Sequence, residues 1–116
     1  MSGLSVLVAG FAEDVTLVKD QLPRGVVCHC IDQTVGSEAS VPPSQMVVYV
    51  FSSDTAWSSQ LQGVFNWINY WTQASERYVV GIGDVDLQRA IFHFAEKLPK
   101  ISLEELRKKL ELQLDR

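Results

Sequence analysis

Met46-Val47-Val48-Tyr49-Val50-Phe51 is a run of six apolar residues with no polar interruption. Its β-branched and aromatic side chains favour a strand, and six residues are too few for a buried helix. Successive side chains of a strand point to opposite faces, so an unbroken apolar run needs apolar cover on both. That requirement excludes a half-solvated antiparallel strand. It points to the middle of a parallel sheet with helices packed above and below.

The rest of the chain supplies the alternation such a sheet needs. Leu4–Ala9 reads as a first strand, and a short helix follows at about Glu13–Leu22, with Val15, Val18 and Leu22 on one face and Pro23 closing it. Gly25–Ile31 is a second strand. Asp32–Ser44, with Gly36, Ser37, Ser40, Pro42 and Pro43, has loop composition. A long helix is expected from an N-cap among Ser52, Ser53 and Asp54 to about Gln73. Arg77–Gly83 is a fourth strand, and Ala90–Ala95 reads as a fifth, with a helix over Val85–Lys97 as the alternative. Ser102-x-x-Glu105 is a capping box opening a last helix with Leu103, Leu106, Leu110 and Leu114 on one side. The expected fold is one α/β domain over residues 1–116. It is a three-layer, mainly parallel sheet of about five strands with helices on both faces, Rossmann-like.

Composition excludes several functions. Hydrophobic residues make up 47%, too many for a disordered tail, and no apolar run reaches the roughly 18 residues of a membrane span. Neither a basic segment nor a long apolar stretch of the signal-peptide kind stands near Met1, so a cytoplasmic address is expected. The formal charge of −4 argues against a nucleic-acid partner. The one basic cluster, Arg107-Lys108-Lys109, is interleaved with Glu104, Glu105 and Glu111, as on a solvated helix face.

Cys28 and Cys30 are two apart on a strand, so they share a face, with Cα atoms roughly 6.5–7 Å apart, a poor distance for a disulfide. His29 points the other way. The three side chains do not converge readily on one metal, so the expectation is reduced core cysteines, with a redox or metal role as the alternative, and a structural role for His29 and His93 in their apolar segments.

In open parallel sheets ligands bind beyond the carboxyl ends of the strands. In this chain those ends are Gly10–Asp14, Asp32, Ser52–Asp54 and Gly83–Asp86. Gly10 stands where a phosphate-binding loop begins. Counting from it, the loop's Gly-Lys-Ser/Thr positions hold Val15, Thr16 and Leu17. No dinucleotide-type glycine pattern is present either, so Asp32 is expected to be a turn residue rather than a ribose ligand. Glu13, Asp14, Asp54 and Asp84 could converge as an acidic Mg²⁺ pocket, or serve as helix-capping and loop acids. No serine lies in a Gly-x-Ser-x-Gly elbow.

Val47–Trp57, the helix carrying Trp67, and Tyr78-Val79-Val80-Gly81-Ile82-Gly83-Asp84-Val85-Asp86-Leu87 resemble the C-terminal half of a small GTPase. In that family the last of these strands ends in Asn-Lys-x-Asp-Leu, which reads guanine. Here Gly83 and Asp84 replace the first two residues, while Asp86 and Leu87 match. With the phosphate loop gone, the resemblance implies a pseudo-GTPase whose nucleotide binding is lost, Asp86 being a vestige. Leu7–Asp14 and Pro99–Leu106 are similar to parts of a receiver domain, with its acidic pair replaced by Gly10-Phe11. That resemblance implies a switch domain without phosphorylation chemistry.

A chain without catalytic residues must act through its surface. Trp57, Leu61, Val64, Phe65, Trp67, Ile68 and Trp71 spread over about 160° of the long helix, wider than the ~100° needed to pack on a sheet, and Tyr70 lies off that arc. Trp67, Tyr70 and Trp71 are therefore candidate anchors for a protein partner, against a broad buried face as the alternative. The reading is a non-catalytic interaction or regulatory module that needs no cofactor. A Mg²⁺-dependent acidic site with phosphoryl or nucleotide chemistry is the alternative.

Overall fold

The computed structural model describes residues 4–34, 43–52, 59–72, 74–83 and 97–114. Among them are β1 (Leu4–Ala9), α1 (Ala12–Gln21), β2 (Val26–Ile31), β3 (Met46–Phe51), α2 (Ser59–Trp71), β4 (Glu76–Gly81), β5 (Lys100–Ile101) and α3 (Leu103–Leu114). The five strands form one sheet in the order β2-β1-β3-β4-β5, and every pairing is parallel. This is the 2-1-3-4-5 order, one of the two common doubly wound arrangements. The α/β architecture expected from the sequence is the one observed.

β3 sits third of five, and all six of its residues are buried. Its alternating side chains feed two cores. Val47, Tyr49 and Phe51 join Leu7, Ala9 and Val79 under α2, which contributes Leu61, Phe65 and Ile68. Met46, Val48 and Val50 join Val6, Val8 and Val80 on the opposite face, where Val15 and Val18 of α1 meet Leu106 and Leu110 of α3. Helices thus cover both faces, as the unbroken apolar strand requires. Phe65 anchors the first core by tilting against both aromatic rings of β3, with centroids 5.2 Å from Tyr49 and 5.5 Å from Phe51. Such contacts add to the area each ring buries.

Several boundaries differ from the sequence expectation. α1 starts one residue early, at Ala12, and ends at Gln21. β4 is shifted to Glu76–Gly81, because its register is set by pairing from Met46↔Glu76 to Phe51↔Gly81. The chain then turns at Gly83, whose φ of 70° suits glycine. The fifth strand of the sheet is Lys100–Ile101, held by pairing with Val79 and Val80. A two-residue strand leaves too short a pattern to read in a sequence. The expected strand at Ala90–Ala95 lies outside the described residues, as do His93, Trp57 and the start of the long helix.

The capping box of α3 is present in altered form. Ser102 Oγ accepts the Glu105 backbone N–H at 3.1 Å, and its hydroxyl lies 3.3 Å from Glu105 Oε1. The basic cluster on this helix is solvated. Lys108 pairs with Glu104 at 3.4 Å, and Lys109 Nζ lies 5.4 Å from the centre of the Tyr78 ring.

Candidate functional site

In this strand order the chain leaves β1 toward β2 on one side and returns to β3 on the other. The crevice for a ligand falls at that switch point, beyond the carboxyl ends of β1 and β3. Gly10, Phe11 and Ser52 stand there. Gly10 is fully enclosed, and a β-carbon on it would meet Val50. Its N–H donates to the Ile31 carbonyl at 3.2 Å, so it extends the β1–β2 ladder instead of facing a ligand. Phe11 follows with its ring packed against the core beneath α2.

The first turn of α1 is the natural phosphate site, since its backbone N–H groups and helix dipole favour an anion. Here one of those donors is taken from within the chain. The Ala12 N–H donates to Gln33 Oε1 at 3.0 Å, across 21 residues of sequence. Phe11, at the N-cap, offers no side-chain acceptor, while Glu13 and Asp14 place two carboxylates on the first turn. They stabilise the helix end and repel a phosphate.

The acidic residues divide by position. Glu13 is exposed, whereas Asp14 is half-buried, with Oδ2 shielded from water and holding no hydrogen bond. Asp54, Asp84 and Asp86 lie outside the described residues. Asp32 is a turn residue: its Oδ1 accepts the backbone N–H of Thr34 at 2.8 Å and the Thr34 hydroxyl as well. Among the described residues no group of three or more His, Cys, Asp or Glu side chains could hold a metal.

The opposite edge of the sheet carries more surface character. α2 runs back from the carboxyl edge to the amino edge, where its last two residues, Tyr70 and Trp71, are 78% and 62% exposed. Their rings meet edge to face, with centroids 5.1 Å apart. Trp67, one turn earlier, is half-buried and packs against the core under the helix. Of the three candidate anchors, therefore, two stand in solvent and one leans on the core.

Just past this helix end a shallow cavity of about 340 Å³ opens among Ser75, Glu76, Arg77, Tyr78, Leu98 and Pro99, at the start of β4 and before β5. Arg77 builds its wall. Its guanidinium donates to Asn69 Oδ1 at 2.6 Å and to the Thr72 carbonyl at 3.1 Å, placing a cation at the α2 C-terminus. Glu76 Oε1 accepts the Tyr78 hydroxyl at 3.1 Å, and Glu76 Oε2 accepts the Gln113 amide at 3.0 Å. Burial and the bond to Glu76 raise the Tyr78 pKa. Inside the core, burial pushes the Tyr49 hydroxyl up to about 12 against the opposing pull of Arg77.

Sequence reasoning missed Gln33 and Arg77. Each acts on a partner that only the fold brings near, and neither belongs to a recognisable motif. The cysteines also differ from expectation. Cys28 is half-buried and Cys30 exposed, because β2 is an edge strand with a helix over only part of its face. His29 lies on the other face of that strand: it is level with Leu7, while Cys28 and Cys30 are level with Val6 and Val8.

Fold and site together define a doubly wound α/β domain in which Gly10 and the first turn of α1 are engaged within the chain, and which carries two exposed aromatic rings at the amino edge. Protein-family profiles, curated proteins and solved structures give no match to the chain. No helix among the described residues is long and apolar enough to cross a membrane.

Proposed function

We propose that this domain is a non-catalytic protein-interaction or regulatory module, built on a degenerate GTPase-like or receiver-like scaffold that has lost nucleotide binding. The observation that carries the reading is the Tyr70–Trp71 pair, two large aromatic rings left in solvent at the end of a helix whose other apolar residues are buried or half-buried. Tyrosine and tryptophan are the residues most often found as binding anchors, each worth about 2 kcal/mol or more at the centre of an interface. The adjoining cavity beside Arg77 is large enough to receive a partner side chain. Nucleotide loss is supported by Gly10 packing on Val50, Gln33 holding the Ala12 amide, and the two carboxylates of the first turn. The 2-1-3-4-5 strand order favours the receiver-type version of the scaffold.

The test has two arms. A thermal-shift panel with GTP, GDP, ATP and Mg²⁺ is expected to be flat, since only a ligand bound by the native state raises the melting point. A clear rise with a nucleotide overturns the reading. In the second arm, proteins captured by the wild-type chain are compared with those captured by Tyr70→Ala and Trp71→Ala. Partners lost in both variants, with melting points unchanged, support the surface; equal capture by all three excludes it.

A Mg²⁺-dependent acidic site is the second reading, favoured by the shielded, unbonded Asp14 Oδ2 at the carboxyl edge. Stabilisation by Mg²⁺ that disappears in Asp14→Asn would select it.

A further inference from the structure

Cys28 and Cys30 project from the same face of β2, and their sulfurs are 3.8 Å apart. The two thiols stand side by side on an edge strand, Cys30 exposed and Cys28 half-buried. The separation is informative. It is too long for a bond between the sulfurs, which need about 2.05 Å. It matches the spacing of two thiolates on a tetrahedral ion: at a metal–sulfur distance of about 2.3 Å, sulfurs 3.8 Å apart subtend an angle of about 111°.

We propose that Cys28 and Cys30 form a two-thiolate site for a tetrahedral, thiophilic divalent cation of the Zn²⁺ class. Binding releases two thiol protons to solvent and forms two metal–sulfur bonds, with no change of oxidation state. No third His, Cys, Asp or Glu joins the pair among the described residues, so water completes the coordination. His29 stays on the opposite face and takes no part. The strand fixes both ligands in advance: backbone pairing from Leu4↔Val26 to Ala9↔Ile31 holds Cys28 and Cys30 in register. Lys19 of α1 stands near enough to Cys28 to favour its thiolate. Burial and the neighbouring Cys30 act the other way, pushing the Cys28 thiol up to about 12, and a cation between the sulfurs removes the repulsion between the two thiolates. The site is independent of the partner surface, since Cys28 packs on the α1 and α3 side of the sheet whereas α2 covers the other.

Cobalt(II) tests it directly, because thiolate ligation gives a charge-transfer band in the near ultraviolet and tetrahedral geometry gives intense visible bands. The full chain, reduced with a phosphine and kept free of oxygen, is titrated with Co²⁺ and then with Zn²⁺. The expected result is both sets of bands, saturating at one cobalt per chain and bleached by Zn²⁺. Cys30→Ser, at an exposed position, is expected to lose the thiolate band with its melting point unchanged, and His29→Ala to keep it. No charge-transfer band, a band that survives Cys30→Ser, or a band lost in a folded His29→Ala overturns the proposal. Saturation at half a cobalt per chain also overturns it, since the ligands would then come from two copies.

Discussion

Gly10 backs directly onto Val50 across the β1–β3 seam: a β-carbon on Gly10 would lie 3.0 Å from the Val50 carbonyl oxygen and 3.1 Å from Val50 Cβ. Both atoms belong to a central strand and neither can swing aside. The glycine at the end of β1 is therefore required by the packing of the sheet. Gly10→Ala is expected to destabilise the fold by about 1–3 kcal/mol, the usual cost of forcing an extra carbon into a packed core. Urea denaturation measures this. A variant as stable as the parent would show that the seam yields, and would reopen Gly10 as a ligand-facing residue.

Arg77 ties the start of β4 to the end of α2 through Asn69 Oδ1 and the Thr72 carbonyl. Hydrogen bonds from a charged donor contribute about 1.5–3 kcal/mol, and a cation at a helix C-terminus adds about 0.3–1 kcal/mol. Because Arg77 is only half-buried, water recovers part of that, and Arg77→Ala is expected to cost about 2 kcal/mol. Arg77→Lys keeps the charge but not the two-pronged geometry, so it should recover only part of the loss. Hydrogen exchange in the last turn of α2 should accelerate in both variants, and more in the alanine. Unchanged protection there would remove Arg77 as the clamp of the amino edge.

The apolar pattern carried most of the architecture. Met46–Phe51 was legible as a central strand because burial on both faces removes every polar residue, and α3 was legible from Ser102, Glu105 and its leucine spacing. Two kinds of feature were not. Lys100–Ile101 is too short to have a period, and is a strand only because Val79 and Val80 lie beside it. Gln33 and Arg77 are ordinary polar residues until the sheet brings Ala12 and the α2 C-terminus to them. At the candidate surface, helical spacing picked out Tyr70, which falls off the buried arc. It could not separate Trp67 from Trp71, because that depends on where the sheet ends beneath the helix.

That difference between the two tryptophans can be seen in solution. Trp71 is 62% exposed, whereas Trp67 is half-buried against the core beneath α2. Iodide, a charged quencher that does not enter cores, should reach Trp71 and leave Trp67 largely shielded. In a Trp57→Phe background, which removes the third tryptophan of the chain, Trp71→Phe is expected to remove most of the quenchable emission and to alter stability by no more than about 0.5 kcal/mol, as at other exposed positions. Trp67→Phe should leave the quenchable part in place and destabilise more. If iodide quenching in that background is unchanged by Trp71→Phe, Trp71 is covered in solution and is not a free anchor.

Stability should fall in alkali, and Tyr49 sets the window. Its hydroxyl titrates near 10.0 in the unfolded chain and at about 12 when buried in the core. Below pH 10 both states hold the proton and stability does not depend on this group. Between about pH 10 and 12 the unfolded chain releases it while the folded chain keeps it. The unfolded state then binds fewer protons, so stability falls as pH rises, by up to about 1.4 kcal/mol per pH unit. Cys28, raised from 9.0 to about 12, acts in the same direction from about pH 9, more weakly because water reaches its sulfur. Tyr49→Phe keeps the ring against Phe65 and removes the titrating hydroxyl. Its stability curve should be flatter than the parent's above pH 10 and parallel to it below, as read from urea midpoints across pH 7 to about 11.5. Parallel curves throughout would mean that the Tyr49 hydroxyl is as accessible to base in the folded chain as in the unfolded one.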